Sequence, residues 1–207
     1  MKDKIRILIA DDHTIVRTGL TALLGTVPGM EVVGEARNGE EAVRQTAKLK
    51  PDVVVMDLMM PKKDGAAATA EIVASLPGTR VIILTSFGAS DAIARALDAG
   101  ATGAMMKDSP NSSLIAAIRA VASGKSAIAP EVRRIIASDP PAQVLTPRQA
   151  EVLLSMTRGL TNHVIAMELS ISEDRVEQHI RALLEKLGAA NRTEAVAIAF
   201  RKHLLKT

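Results

Sequence analysis

Val53-Val54-Val55-Met56-Asp57 is four apolar residues closed by a carboxylate. A run so short and so continuously apolar, rich in β-branched residues, predicts a strand buried on both faces, as in a parallel sheet covered by helices on each side. Val81-Ile82-Ile83-Leu84 repeats the pattern. Working outward from these two runs, strand patterns fall at residues 5–10, 31–35, 53–57, 80–84 and 103–106, and helical patterns follow them at 14–24, 39–49, 66–75, 91–99 and 111–123. Such alternation predicts an α/β architecture, a doubly wound five-stranded parallel sheet with right-handed crossovers.

The alternation stops after Ser123-Gly124. Pro130, a short apolar-basic piece at 132–137 and then Asp139-Pro140-Pro141 read as a linker over 125–144 that carries one short helix. From Leu145 no strand signal returns, and helical patterns at 147–158, 162–169, 173–187 and 192–205 predict a second, smaller all-α domain. The expected division is therefore 3–124, 125–144 and 145–207.

Composition narrows the function classes. With 207 residues, 47% hydrophobic and 24% charged, the chain can bury a core, which excludes a disordered or fibrous protein. It has no cysteine, so disulfides, thiolate metal sites and a cysteine nucleophile are excluded. The longest strictly apolar run is six residues, 195–200, against the ~18 or more that a spanning helix needs. No membrane partner is expected, and the location is read as cytoplasmic. Two phenylalanines are the only aromatics, too few for a base-stacking platform. Basic and acidic residues number 17 and 16 up to Pro140 and 9 and 7 beyond it, so neither half is strongly basic.

In an open parallel sheet, ligands bind beyond the carboxyl ends of the strands. Four such ends carry polar groups here: Asp11 and Asp12, Asp57, Thr85, and Lys107. Three carboxylates suit a hard cation such as Mg²⁺, while a lysine and a hydroxyl complement phosphoryl oxygens. A carboxylate can itself accept a phosphoryl group, and Asp57 is the best-placed nucleophile. Taken singly, each position has a plainer reading: a helix cap at Asp11 or Asp12, a turn residue at Asp57, surface groups at Thr85 and Lys107. Their joint occurrence at four strand ends favours the chemical reading.

Ile7-Leu8-Ile9-Ala10-Asp11-Asp12-His13, Val55-Met56-Asp57-Leu58-Met59-Met60-Pro61 with Asp64-Gly65, Val81–Ser86 and Lys107 together resemble a bacterial response-regulator receiver domain of flavodoxin-like fold, over about residues 3–124. The resemblance implies that Asp57 accepts a phosphoryl group from a partner histidine kinase. It implies that Asp12 and Asp57 bind Mg²⁺ directly, with Asp11 acting mainly through water and the Met59 carbonyl completing the set. Thr85 would swing toward the phosphoryl group, Lys107 would pair with it, and small Ser86 would leave room for the donor. One position departs from the family: three residues before the lysine, where an aromatic is usual, stands Ala104.

In the second domain, residues 162–169 and 173–187 are joined by Ser170-Ile171-Ser172, a spacing that predicts helix-turn-helix. Ser172 is expected to cap the second of these helices. Opposite its apolar face stand Arg175, Gln178, Arg181 and Lys186, with Glu177 and Glu185 among them. A merely solvated face would look the same. The order from Leu145-Thr146-Pro147 through Gly159-Leu160-Thr161-Asn162, Ile171-Ser172-Glu173, Val176, His179 and Lys186-Leu187-Gly188 to Asn191-Arg192-Thr193 resembles the LuxR-type helix-turn-helix.

A receiver followed by this domain is the layout of the NarL/FixJ-type response regulators. That resemblance implies that residues 173–187 enter the major groove of double-stranded DNA, that 162–169 brace them, and that a homodimer reads two half-sites. Asn162, His163, Arg175, Glu177, Gln178, Arg181 and Lys186 are the expected contacts. His163, Arg175 and Glu177 depart from the residues common in the family. Glu177 either accepts from a cytosine amino group or turns toward Arg181 four residues on.

The expectation is a two-component regulator of transcription, a phosphoacceptor and not a turnover enzyme, whose DNA binding follows phosphorylation of Asp57. Two rivals stand beside it. One is a regulator or interaction module independent of phosphorylation, suggested by Ala104 and Glu177. The other is a haloacid-dehalogenase-like phosphatase, whose nucleophile follows the first strand in a D-x-D arrangement, unlike the adjacent Asp11-Asp12 here.

Overall fold

The computed structural model describes residues 4–86, 90–138, 145–201 and 204. The chain forms two compact units, Met1–Pro140 and Pro141–Thr207. In the first, β1 (Ile5–Ala10), α1 (Thr14–Gly25), β2 (Met30–Ala36), α2 (Gly39–Leu49), β3 (Val53–Asp57), α3 (Gly65–Ser75), β4 (Arg80–Thr85), α4 (Ser90–Asp98), β5 (Gly103–Met106), α5 (Asn111–Ala122), β6 (Ala127–Ile128) and α6 (Pro130–Ser138) follow one another. All strand pairings are parallel, in the order β2-β1-β3-β4-β5-β6. The chain reverses direction across the sheet after β2, so the crevice between β1 and β3 is the topological switch point.

The apolar strands split residue by residue between two cores, as a period of two requires. Leu8, Val54, Met56, Val81, Ile83 and Ala104 enter one with Ala42 of α2, Ile72 of α3, Ile93 of α4 and Val132 of α6. Ile7, Ile9, Val53, Val55, Ile82 and Leu84 enter the other with Leu24 of α1 and Ile118 of α5. Burial on both sides explains why β3 and β4 read as unbroken apolar runs.

The sheet has six strands, where five were expected. Residues 127–138, read from the sequence as linker, belong to the first unit: β6 pairs with β5, and Val132 of α6 is fully buried in the core that holds Ala104. A two-residue strand at a sheet edge leaves almost no periodicity to detect, and α6 is held by packing against α4 and β5. The Asp139-Pro140-Pro141 stretch lies outside the described residues.

The second unit contains α7 (Pro147–Thr157), α8 (Asn162–Leu169), α9 (Glu173–Leu187) and α10 (Arg192–Arg201). Leu204, beyond α10, is not helical and donates its N–H to the Ala199 carbonyl, so the helix expected to reach 205 ends earlier. Thr146 and Gln149 form a reciprocal capping box on α7, and Thr161 and Ser172 cap α8 and α9. Val152, Leu153, Met156, Ile165, Val176, Leu183 and Ala195 make the core between the four helices.

Candidate phosphoacceptor and DNA-binding sites

At the switch point β1 runs out into Asp11 and β3 ends on Asp57. Both lie at the mouth of the crevice, yet they are 2% and 4% exposed. Lys107, next after β5, reaches both carboxylates: its Nζ is 2.6 Å from Asp11 Oδ2 and 2.9 Å from Asp57 Oδ2. Burial pushes the Asp57 carboxyl above its ordinary range and the charge of Asp11 adds to this, with Lys107 opposing. Burial works against the charge of Lys107, but its contacts with Asp11 and Asp57 outweigh that and hold its pKa above the usual lysine value.

The backbone behind Asp57 is tightly fixed. A Cβ on Gly65 would lie 2.1 Å from the Asp57 carbonyl oxygen, so the first residue of α3 must be glycine. Gly65 N–H donates to the Leu58 carbonyl at 2.9 Å, and Asp64 caps α3 through the Ala67 N–H at 2.7 Å. This accounts for Asp64-Gly65 seven residues beyond Asp57. Met59 stands in the turn between β3 and α3 with its side chain half exposed. Thr85 is buried at the end of β4, its hydroxyl donating to the Ser86 carbonyl at 3.0 Å.

Asp12 is partly exposed beside Asp11, and His13 Nδ1 lies 2.7 Å from Asp12 Oδ1 and 3.2 Å from Asp11 Oδ1. One ligand atom from each of Asp11, Asp12, His13 and Asp57 falls within 4.8 Å of the others. Asp11 Oδ2 and Asp12 Oδ1 are buried without a well-aligned hydrogen bond; each has only a nearby nitrogen. Carboxylate oxygens gathered this closely, two of them buried with no partner beyond a single nitrogen, suit a hard divalent cation, and the donor set fits Mg²⁺. Two neighbours carry no sequence signal of their own: His13, and Arg17 of α1, whose Nη1 donates to the Asp11 carbonyl at 2.7 Å.

In the helical unit, Ser170 takes a left-handed backbone (φ 53°) that ends α8, and α9 starts three residues later. Arg175, Glu177, Gln178 and Arg181 are exposed on α9. Glu177 makes no ion pair among the described residues. Lys186 is half-buried, and its Nζ donates to Gln149 Oε1 of α7 at 3.0 Å, where the last turn of α9 packs against α7. Asn162 accepts from Arg192 Nη1 at 3.1 Å, and His163 Nδ1 lies 2.7 Å from Glu173 Oε1 at the start of α9. Two arginines with no role assigned from sequence tie the motif together. Arg148 and Arg192 donate to the Leu169 and Leu160 carbonyls at either end of α8.

A carboxylate cluster with a lysine at the switch point of this sheet, followed by a helix-turn-helix unit, defines the two-component response regulators that bind DNA. The chain belongs to that family: residues 7–119 match the response regulator receiver domain, and residues 143–199 match the luxR family of bacterial regulatory proteins. It is 37% identical over 207 residues to the response regulator protein VraR of Staphylococcus aureus, covering 98% of this chain and 99% of that one, and equally to VraR of Staphylococcus epidermidis. Among solved structures it resembles the response regulator ChrA of a heme-sensing two-component system (36% identity, TM-score 0.61, 98% and 100% of the chains covered). It also resembles RcsB of Salmonella typhimurium (26%, TM-score 0.73, 94% and 98%) and an RcsB–DNA complex (26%, TM-score 0.69, 96% and 98%).

Proposed function

We propose that this response regulator is switched by transfer of a phosphoryl group from a histidine kinase to Asp57, and that the switch controls dimerisation and DNA binding by residues 145–207. The observation that carries the reading is the convergence of Asp11, Asp57 and Lys107 at one buried mouth. An Asp57 carboxylate oxygen attacks phosphorus, the P–N bond of the phosphohistidine breaks, and the imidazole leaves with the electron pair. The product is an acyl phosphate. Lys107 moves from pairing two carboxylates to pairing one carboxylate and the phosphoryl oxygens, and Thr85 supplies a hydroxyl to them. Asp12 and Asp57, with the Met59 carbonyl and with Asp11 through water, would hold Mg²⁺, which neutralises charge gathering on the phosphoryl oxygens.

In the helical unit, Arg175, Glu177, Gln178 and Arg181 present the reading face, with Asn162 and His163 at the start of the bracing helix. DNA contact and dimerisation are supported by the similarity to the solved structure of two RcsB dimers bound to two parallel DNAs. The reading makes the protein a cytoplasmic transcription regulator.

The test is incubation of the full chain with acetyl phosphate and Mg²⁺, scored by intact mass and by lability to base. The parent gains one phosphoryl group and Asp57→Asn gains none; labelling of Asp57→Asn at the parental rate refutes the assignment. The buried Ala104, where the family carries an aromatic, favours a second reading in which DNA binding is indifferent to phosphorylation. DNA affinity measured before and after the same treatment decides between the two.

A further inference from the structure

We infer that Arg17 is a positioning residue for the divalent-cation site, setting the direction of the acidic turn from α1. The inference rests on the Mg²⁺ reading above and adds a residue to it. Arg17 is the fourth residue of α1, and helical side chains lean toward the N-terminus, so its guanidinium reaches back over the turn that joins β1 to the helix. Its side chain is 13% exposed and spans three acceptors. Nη1 donates to the Asp11 carbonyl at 2.7 Å, Nη2 to Thr14 Oγ1 at 3.2 Å and Nε to Glu35 Oε2 at 3.3 Å.

Glu35 is itself held, its other oxygen accepting from Thr21 Oγ1 of α1 at 2.8 Å. On the other side of the same residue, the Asp11 N–H donates to the Ala36 carbonyl of β2 at 3.1 Å. Asp11 Oδ1 accepts the His13 N–H at 2.8 Å. Both the N–H and the carbonyl of Asp11 are therefore anchored, one to the sheet and one to Arg17. The peptide that leads into Asp12 is fixed by the second of these anchors. The N-terminus of α1 lacks a side-chain cap on His13, and Arg17 joins the helix to the turn alongside the His13 N–H bond to Asp11. A planar fork suits this task, since it holds several acceptors in one geometry where an ammonium is a single point charge. A surface ion pair with Glu35 alone would need neither the burial nor the bond to Asp11.

Isothermal titration of the full chain with Mg²⁺ tests the inference, beside the rate of labelling by acetyl phosphate as a function of Mg²⁺. Removing groups that orient metal ligands typically costs about 10–100-fold in affinity, and Arg17→Ala is expected at the lower end, about tenfold weaker. Arg17→Lys should recover only part of this, and Glu35→Gln should weaken binding less than Arg17→Ala. The labelling rate at saturating Mg²⁺ should stay at the parental value in all three. Parental Mg²⁺ affinity in Arg17→Ala overturns the inference, as does a fall in the saturated rate that matches the fall in affinity, which would mean general damage to the fold. The Mg²⁺ reading fails separately, and takes the inference with it, if the parent binds no Mg²⁺ or if Asp12→Ala binds as the parent does.

Discussion

Replacing Lys107 by Met keeps most of the stem's packing and deletes an ammonium that contacts two buried carboxylates at 2.6 and 2.9 Å. What remains is Asp11 facing Asp57 in a poorly solvated mouth. Breaking a buried pair by removing one partner costs about 3–5 kcal/mol. Two features place the expected loss near the lower bound, about 3 kcal/mol: Lys107 is itself partly exposed, and Asp57, whose pKa is already raised, relieves part of the repulsion by taking up a proton. Mg²⁺ should return much of it. A cation that binds only the folded state stabilises by about 2.7 kcal/mol at about 100 times its dissociation constant, and in the variant it meets one more uncompensated negative charge. The assay is urea unfolding of the full chain with and without Mg²⁺, followed by far-UV circular dichroism because the chain has no Trp or Tyr. A loss below about 1 kcal/mol in metal-free buffer, or an equal loss with and without Mg²⁺, would refute the claim that these three side chains form one electrostatic site.

Acidification should weaken Mg²⁺ binding at a pH above the ordinary aspartate value of 3.8, since the folded protein holds the Asp57 proton more tightly than the unfolded chain does. By the same linkage the Asp57 carboxyl favours folding below 3.8 and loses that contribution as pH rises through its raised folded value; titrations of Mg²⁺ affinity and of stability against pH should show this limb in the parent and lack it in Asp57→Asn. Glu177→Lys should tighten binding to preferred and scrambled duplexes alike and steepen the slope of log affinity against log salt by about one unit, as one added phosphate contact requires. A loss of about 1–3 kcal/mol confined to the preferred duplex would instead mean that Glu177 reads a cytosine.

Strands buried on two faces were the most legible part of the chain. β1, β3 and β5 occupy the residues that their apolar runs mark, because helical layers bury these runs on both faces, Arg6 standing at the partly exposed start of β1. The polar strand ends were legible for the same reason: Asp57 and Thr85 interrupt runs that burial would otherwise continue. Side-chain reach was not legible. Arg17, Arg148 and Arg192 act over 6, 21 and 32 residues of sequence on backbone carbonyls, and a carbonyl is present at every position, so no pattern of residue types marks such a partner. The partner of Lys186 was not legible for the same reason. The spacing of Lys186 sets it beside Arg175 on the polar side of α9, but α7 closes over that edge and takes it as the donor to Gln149.

Ala104 shows how a residue that departs from its family can have a structural counterpart elsewhere in the chain. Ile83 pairs with Ala104 in the β4–β5 register, and both side chains enter the core that contains Val132 of α6. Thr85, two residues beyond Ile83, faces the same side of the sheet. The Ala129 N–H donates to the Ala104 carbonyl at 2.9 Å, and Ala104 is fully buried. The side of β5 on which the family's aromatic would turn therefore packs in one core with α4 and α6, and a methyl group is what that packing accommodates. A displacement at Thr85 meets Met106, its partner in the register, and then the core seated against α6. Since α6 is the last element of the first unit before the chain enters the helical one, its packing on this core is the covalently shortest route by which a change at Asp57 would reach the proposed DNA-binding residues.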